Sequence, residues 1–127
     1  MAAHRSTVSI EAGEGENEIT LKSGERIAHD AAKVFVTAGD GDDLVTLTSG
    51  GGNHLADDRS VIEVSVGDGR NGVTLDAADR VANNKSEVKV TTGGDADTIH
   101  LSSVYAMVAE DSKLVIAAGD GNNEVIL

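Results

Sequence analysis

The sequence of 127 residues predicts an all-β fold, a right-handed parallel β-solenoid of about five coils with about 26 residues in each. An alternating apolar run begins five times, at residues 8, 34, 62, 88 and 114, and a Gly-rich acidic turn follows every run. The spacings are 26, 28, 26 and 26 residues. A fixed period of this size is typical of solenoids, in which each repeat stacks only on its neighbours. We therefore expect residues 1–127 to form one solenoid domain.

The first element of each repeat is a short strand. Its apolar residues alternate with period two, so they point to one side of the strand. The five pairs are Val8/Ile10, Val34/Val36, Ile62/Val64, Val88/Val90 and Leu114/Ile116. A Gly-x-Gly turn follows, where glycine permits backbone angles that strain other residues.

A second strand and a third apolar point complete the repeat. The second strand carries Ile19/Leu21, Val45/Leu47, Val73/Leu75, Ile99/Leu101 and Val125/Leu127. Seven residues before each following repeat stand Ile27, Leu55, Val81 and Met107. Three apolar edges per coil favour a β-helix over a flattened two-sided roll.

The composition limits which residues can fill the core and where in or outside the cell the protein can be located. Phe35 and Tyr105 are the only aromatic residues, so Val, Ile, Leu and Ala must fill the core. The chain has no Cys, residues 1–7 lack the apolar core of a signal peptide, and no run reaches membrane-spanning length. We expect no membrane insertion, and either a cytoplasmic protein or one exported without a cleaved N-terminal signal.

The negative charge is concentrated in the five turns. The net charge is −12, and residues 13–18, 39–44, 67–72, 93–98 and 119–124 hold eleven acidic residues against one basic residue, Arg70. Stacked turns lie about 4.8 Å apart in a parallel solenoid. Because like charges at that distance repel each other, the column requires a counter-charge. An acidic surface with few basic residues also argues against binding to nucleic acid.

A calcium ion is the counter-charge that suits these turns best. Carboxylates and turn carbonyls are the oxygen ligands that Ca²⁺ prefers, and Ca²⁺ tolerates irregular geometry. The candidate metal ligands are Glu14, Glu16, Asn17, Asp40, Asp42, Asp43, Asp68, Asn71, Asp95, Asp97, Asp120 and Asn123.

Residues 39–46, Gly-Asp-Gly-Asp-Asp-Leu-Val-Thr, resemble the G-G-x-G-x-D-x-U-x nonapeptide of repeats-in-toxin, hemolysin-type calcium-binding proteins, without its first Gly. The resemblance implies that turn carbonyls and the Asp at the sixth position bind calcium, and it places that Asp at Asp43 and Asp97. The other three turns have Asn there, and the copies are not in tandem. A solvated acidic edge with an internal Asn/Asp ladder is the alternative interpretation.

The sequence does not predict an enzyme. The four histidines fall at different repeat positions, so no metal-binding or catalytic grouping is expected. Acidic pairs such as Asp42/Asp43 lie on a repeated turn with no cleft beside them, which is unlike a general acid/base site.

The ends of the chain predict self-assembly. Met1 and Ala2 match the third apolar point of a coil, and Leu127 ends a second strand. Neither end has a polar cap of the kind that isolated solenoids use. We expect head-to-tail polymerisation of identical chains, which yields a fibre when the contact does not close into a ring. The predicted assembly residues are Met1, Ala2, Val8, Ile10, Val125 and Leu127.

These features lead to three functional hypotheses. The first is a structural, calcium-binding solenoid that assembles head to tail into an extracellular filament or a surface or matrix layer. The second is a calcium-dependent folding and secretion module of a larger adhesin, toxin or enzyme. The third is a cytoskeletal polymer that resembles the bactofilins, which are also short β-helices. The ending Glu124–Leu127 is similar to that of some type I secretion substrates, which implies export to the cell surface or beyond.

Overall fold

The computed structural model describes residues 1–127 and contains ten strands. No helix is present that could cross a membrane. The strands are β1 (Thr7–Glu11), β2 (Glu18–Ser23), β3 (Lys33–Thr37), β4 (Leu44–Ser49), β5 (Val61–Ser65), β6 (Gly72–Ala77), β7 (Glu87–Thr92), β8 (Thr98–Ser103), β9 (Lys113–Ala118) and β10 (Glu124–Ile126).

The strands form two parallel sheets with five strands each. Strands β1, β3, β5, β7 and β9 are neighbours in that order in the first sheet, and β2, β4, β6, β8 and β10 in the second. In the first sheet Val8 pairs with Val34, and the register continues through Ile62 and Val88 to Leu114. These residues begin the five sequence repeats, so the predicted parallel β-solenoid is confirmed.

A third, narrower face closes each coil. It consists of single parallel bridges that join Ala2, Ala28, Ala56, Ala82 and Val108 in sequence. The apolar residues beside these bridges point inward, and Ile27, Leu55 and Val81 are fully buried. The predicted third apolar edge therefore exists, although it is too short to form a third sheet of regular strands.

The core is a set of aliphatic columns. The strands alternate between exposed and buried residues, as in β2, where Ile19 and Leu21 face inward. All 25 buried apolar residues of the core are Ala, Val, Leu or Ile. This agrees with the near absence of aromatic residues in the sequence, because a narrow coil has room only for aliphatic side chains.

The corner between the third face and the first sheet has an unusual backbone. Two successive residues have positive φ in every coil, with angles of 51° to 61°, and none of them is glycine. The pairs are His4/Arg5, Asp30/Ala31, Asp58/Arg59, Asn84/Lys85 and Glu110/Asp111. The left-handed conformation costs most residues with a Cβ about 1–2 kcal/mol, but Asp and Asn, which open three of the five pairs, adopt it more readily.

The remaining corner lies between the second sheet and the third face, and it contains the two extra residues of the longer repeat. Gly50, Gly51 and Gly52 form an exposed loop that Asn53 closes: its backbone N–H donates to the Gly50 carbonyl at 3.1 Å, and its side chain donates to the Gly51 carbonyl at 3.1 Å. The pairing of Ser23 with Ser49 before the loop is undisturbed. The loop therefore explains the spacing of 28 residues.

Candidate metal centre

The five Gly-rich turns stack into one continuous edge, which we call the acidic corner (residues 13–17, 39–43, 67–71, 93–97 and 119–123). Backbone hydrogen bonds hold successive turns together. The N–H of Gly39 donates to the carbonyl of Gly13 at 3.1 Å, Gly67 donates to Gly39 at 3.1 Å, and Gly93 donates to Gly67 at 3.2 Å. Equivalent atoms of neighbouring turns are therefore held in register.

The last position of each turn forms an internal ladder of alternating amides and carboxylates, namely Asn17, Asp43, Asn71, Asp97 and Asn123. Each backbone N–H donates to the side-chain Oδ1 of the next coil. The distances are 2.9 Å from Asn17 to Asp43, 3.0 Å from Asp43 to Asn71, 3.0 Å from Asn71 to Asp97 and 2.8 Å from Asp97 to Asn123. Oδ1 of Asp43, Asn71, Asp97 and Asn123 therefore accepts one backbone N–H from the preceding coil in each case, whether the residue is Asp or Asn.

The other terminal atom of the side chain separates the two residue types. In the Asn turns this atom is Nδ2. In the first and third turns it donates to carbonyls of its own turn, whereas Nδ2 of Asn123 donates to the carbonyl of Ala118 and lies 3.3 Å from that of Asp120. Asn17 donates to the carbonyls of Gly13 at 2.9 Å and Gly15 at 2.8 Å, and Asn71 donates to those of Gly67 at 2.9 Å and Gly69 at 3.0 Å. The amide thus satisfies the inner carbonyls of the turn.

In Asp43 and Asp97 the equivalent atom is an oxygen, which cannot donate when the carboxylate is ionised. Asp43 is 2% exposed and Asp97 is 1% exposed, and Oδ2 of both residues is buried without a hydrogen-bond partner. No side-chain N–H donates to the carbonyls of Gly39 and Gly41, the equivalents of Gly13 and Gly15. A buried, unpartnered carboxylate oxygen is costly, and a cation or a proton at Oδ2 would offset that cost.

The outer acidic residues are bound differently. Oδ1 of Asp40 accepts the N–H of Asp68 at 3.1 Å, and Oδ1 of Asp68 accepts the N–H of Gly94 at 2.7 Å. Asp42 accepts the N–H of Arg70 at 2.8 Å and also contacts its guanidinium group at 3.2 Å. The pKa of Asp42 is lowered, chiefly by the hydrogen bond from the Arg70 backbone. These carboxylates connect neighbouring turns.

The remaining predicted ligands do not converge. Glu14, Glu16, Asp95 and Asp120 are exposed and make no side-chain hydrogen bond or ion pair. No group of three or more His, Asp or Glu side chains is arranged to hold a metal ion. A cation at this corner would therefore be bound by one buried carboxylate and by turn carbonyls.

The Asp43 and Asp97 turns provide the kind of ligands that calcium binds. Ca²⁺ takes six to eight oxygen ligands and accepts carbonyls and water beside carboxylates. Each of these turns provides Oδ2 and the carbonyls that Nδ2 binds in the Asn turns, and water is available at the exposed rim. Such a donor set holds no nitrogen or sulfur ligand, which disfavours the softer transition metals.

A buried polar network beside the third face was not apparent from the sequence. Arg26 pairs with Asp57 of the next coil at 2.9 Å, and the side chain of Asn83 donates to Asp57 at 3.1 Å. Nδ2 of Asn83 also lies 3.3 Å from Nε2 of His54. The base that the coil brings to Asp57 is Arg26, and not its sequence neighbour Arg59. Only the stacking of successive coils brings these residues together.

Other charges pair near the corner between the third face and the first sheet. His4 lies 3.1 Å and His29 lies 3.3 Å from Oδ2 of Asp30, and Lys113 lies 2.9 Å from Glu87.

Comparisons with protein-family models, with curated proteins and with solved structures find no match to this chain.

Proposed function

We propose that the protein is a structural β-solenoid that binds calcium at its acidic corner, as repeats-in-toxin proteins do. The observation that carries the proposal is the unpartnered Oδ2 of Asp43 and of Asp97, buried at positions where the other three turns have an amide donor. A calcium ion would supply the missing positive charge to Oδ2 and to the turn carbonyls. The bound ion would then stabilise the folded acidic corner against heat and reduce the repulsion between its carboxylates.

Calcium is favoured over magnesium for a geometric reason. Mg²⁺ requires nearly ideal octahedral coordination and retains its water molecules, whereas Ca²⁺ adapts to ligands that a turn provides. The carbonyls at this corner are fixed by the turns and cannot rearrange around a small ion. We therefore expect magnesium to bind weakly or not at all.

We expect calcium to stabilise the chain against heat. An ion that binds only the folded state, at 100 times its dissociation constant, contributes about 2.7 kcal/mol for each site. For a chain of this size, one such site raises the melting temperature by about 10 °C. Melting curves followed by circular dichroism in EDTA, in calcium and in magnesium measure the effect.

The double variant Asp43→Asn, Asp97→Asn is the control for this experiment. It keeps the shape of both side chains, replaces one oxygen of each carboxylate by an amide nitrogen and removes the negative charge of each. Its melting temperature should not respond to calcium. If the wild-type chain also shows no response, the cation proposal fails, and a proton on Oδ2 becomes the group that satisfies the carbonyls.

We further propose that a second copy of the chain binds end to end. At the end formed by β9 and β10, the inward-facing Val125 is 44% exposed and Leu127 is 69% exposed, although Ile99 and Leu101 of the preceding coil are almost fully buried. The opposite end, formed by β1 and β2, presents Val8 and Ile10 on the matching columns, beside Met1 and Ala2.

The hydrogen-bond groups of the two ends are complementary. At one end the N–H of Asn123 has no acceptor, and at the other the Oδ1 of Asn17 has no donor. These are the two atoms that every internal step of the ladder joins. A second copy stacked in register would continue both sheets, the ladder and the aliphatic columns, which is the geometry of a filament.

The change Leu127→Asp should abolish this association, because it places a charge on the apolar contact surface. We expect filaments of the wild-type chain in negative-stain micrographs and a monomeric variant in light scattering. Leu44→Asp is the matched control, since Leu44 is 46% exposed on the outer surface of β4, which is not an end strand of its sheet. A wild-type chain that stays monomeric at high concentration would refute end-to-end assembly.

A further inference from the structure

We infer that the corner between the third face and the first sheet binds a small organic molecule that carries a phosphate or sulfate group. This site is separate from the acidic corner and does not rest on the proposed calcium binding. It lies at a cavity of about 490 Å³, the only one in the structure. The cavity is lined by His4, Arg5, Asp30, Ala31, Asp58 and Arg59.

The cavity results from a gap in a column of long side chains. The backbone N–H of Arg5 donates to the carbonyl of Asp30 at 2.9 Å. In the same way, the N–H of Ala31 donates to the carbonyl of Asp58 at 2.8 Å. The second residues of successive positive-φ pairs are therefore stacked in register. Ala31 stands between Arg5 and Arg59 in this column, and its short side chain leaves the space that both arginines border.

The two arginines have no acidic partner within the chain. The other three, Arg26, Arg70 and Arg80, each form an ion pair with an aspartate. Arg5 and Arg59 are exposed and form none. Acidic partners are not scarce, because the chain holds 22 acidic residues against 10 basic ones. Two unpaired guanidinium groups at one cavity therefore favour a negatively charged ligand from outside the chain.

The carboxylates of the cavity already have other partners. Oδ2 of Asp30 lies 3.1 Å from Nδ1 of His4 and 3.3 Å from Nδ1 of His29. Oδ1 of Asp58 accepts a hydrogen bond from the side chain of Asn84. Neither carboxylate forms an ion pair with an arginine of the cavity. The guanidinium groups are thus left to bind the ligand.

The spacing of the two arginines suits a tetrahedral oxyanion. Arg5 and Arg59 are two coils apart, which corresponds to about 9.6 Å. Guanidinium groups bind phosphate-type oxygens through N–H contacts of about 2.7–2.9 Å, so one oxyanion can contact both side chains from opposite sides. The volume of the cavity lies within the range of sites for small organic ligands, about 300–1,000 Å³. Because Ala31 is the only apolar residue of the lining, the group attached to the oxyanion should be polar.

Isothermal titration calorimetry tests this inference with phosphoserine, serine and inorganic sulfate as probes. Low ionic strength is needed, because salt screens exposed charges. Phosphoserine and sulfate should bind, and serine, which lacks the phosphate, should not. Arg5→Gln and Arg59→Gln should each weaken the binding of phosphoserine about tenfold, since each removes a hydrogen bond to a charged group. Ala31→Gln should abolish binding because it fills the gap without a change of charge, and Lys85 shows that a long side chain is accepted at this position in another coil.

Lys22→Gln is the matched control, since Lys22 is an exposed base without an acidic partner on β2 of the second sheet. It should leave the dissociation constant of phosphoserine unchanged, and circular dichroism checks that every variant is folded. The inference is wrong if phosphoserine does not bind, or if serine binds equally well. Binding of sulfate alone would exclude an organic ligand, and an equal loss in Lys22→Gln and Arg59→Gln would exclude this cavity as the site.

Discussion

Replacing Gly69 with alanine is expected to unfold the chain or to lower its stability by about 3 kcal/mol or more. Gly69 has φ of +122°, a conformation open to glycine and to almost no other residue. An added Cβ would lie 2.6 Å from the carbonyl carbon of Gly41 in the coil beside it, and closer still to its oxygen. Backbone atoms of a stacked turn cannot move aside, because further turns hold them in register.

Gly24→Ala is the control, since a Cβ at Gly24 meets no atom within 4 Å and its φ is not positive. Urea denaturation should place the Gly24→Ala variant close to the wild-type chain and the Gly69→Ala variant far below it. If both variants unfold alike, the acidic corner is not as tightly stacked as described.

A second large effect is expected from the aliphatic columns. Leu47 is fully buried, and it pairs with Leu21 on one side and Leu75 on the other. Leu47→Ala should destabilise the chain by about 2–5 kcal/mol, because it leaves a cavity that rigid coils above and below cannot fill. A narrow core has few other residues to compensate for the loss.

The neighbouring change Leu44→Ala provides the comparison, because Leu44 lies on the same strand but faces outward and is 46% exposed. Its effect should stay within about 0.5 kcal/mol. Equal effects of the two changes in chemical denaturation would mean that the two faces of β4 are not distinguished by burial.

The fold could be predicted because each coil repeats the same local signals. The period, the alternating pairs such as Val34/Val36 and the Gly-x-Gly turns determine strands, corners and register together. The corner at Asp30 and Ala31 could not be anticipated in the same way. Its positive φ angles occur without glycine, at pairs that begin with His, Asp, Asn or Glu, and such residues carry a much weaker signal for this conformation than glycine does.

The candidate site could be predicted only as a region. The sequence places Asp40, Asp42 and Asp43 in one acidic turn, and the nonapeptide resemblance singles out Asp43 by its position, but neither shows which of these side chains is buried. The structure separates them by burial and partners: Asp40 and Asp42 accept backbone hydrogen bonds, whereas Asp43 is enclosed with one oxygen unpaired. Burial and cross-coil contacts are three-dimensional quantities, so residue type alone does not reveal them.

The Gly50–Asn53 loop shows that this architecture separates chain length from coil geometry. Two additional residues leave the sheet before the loop and the third face after it in register, since Ser23 still pairs with Ser49 and Ala56 still bridges to Ala82. The paired residues of the three faces set the circumference of a coil, and the number of residues in the corner between two faces can vary. This corner is accordingly the place where a longer peptide, such as an epitope or a binding loop, could be grafted and displayed on the rod at a chosen height.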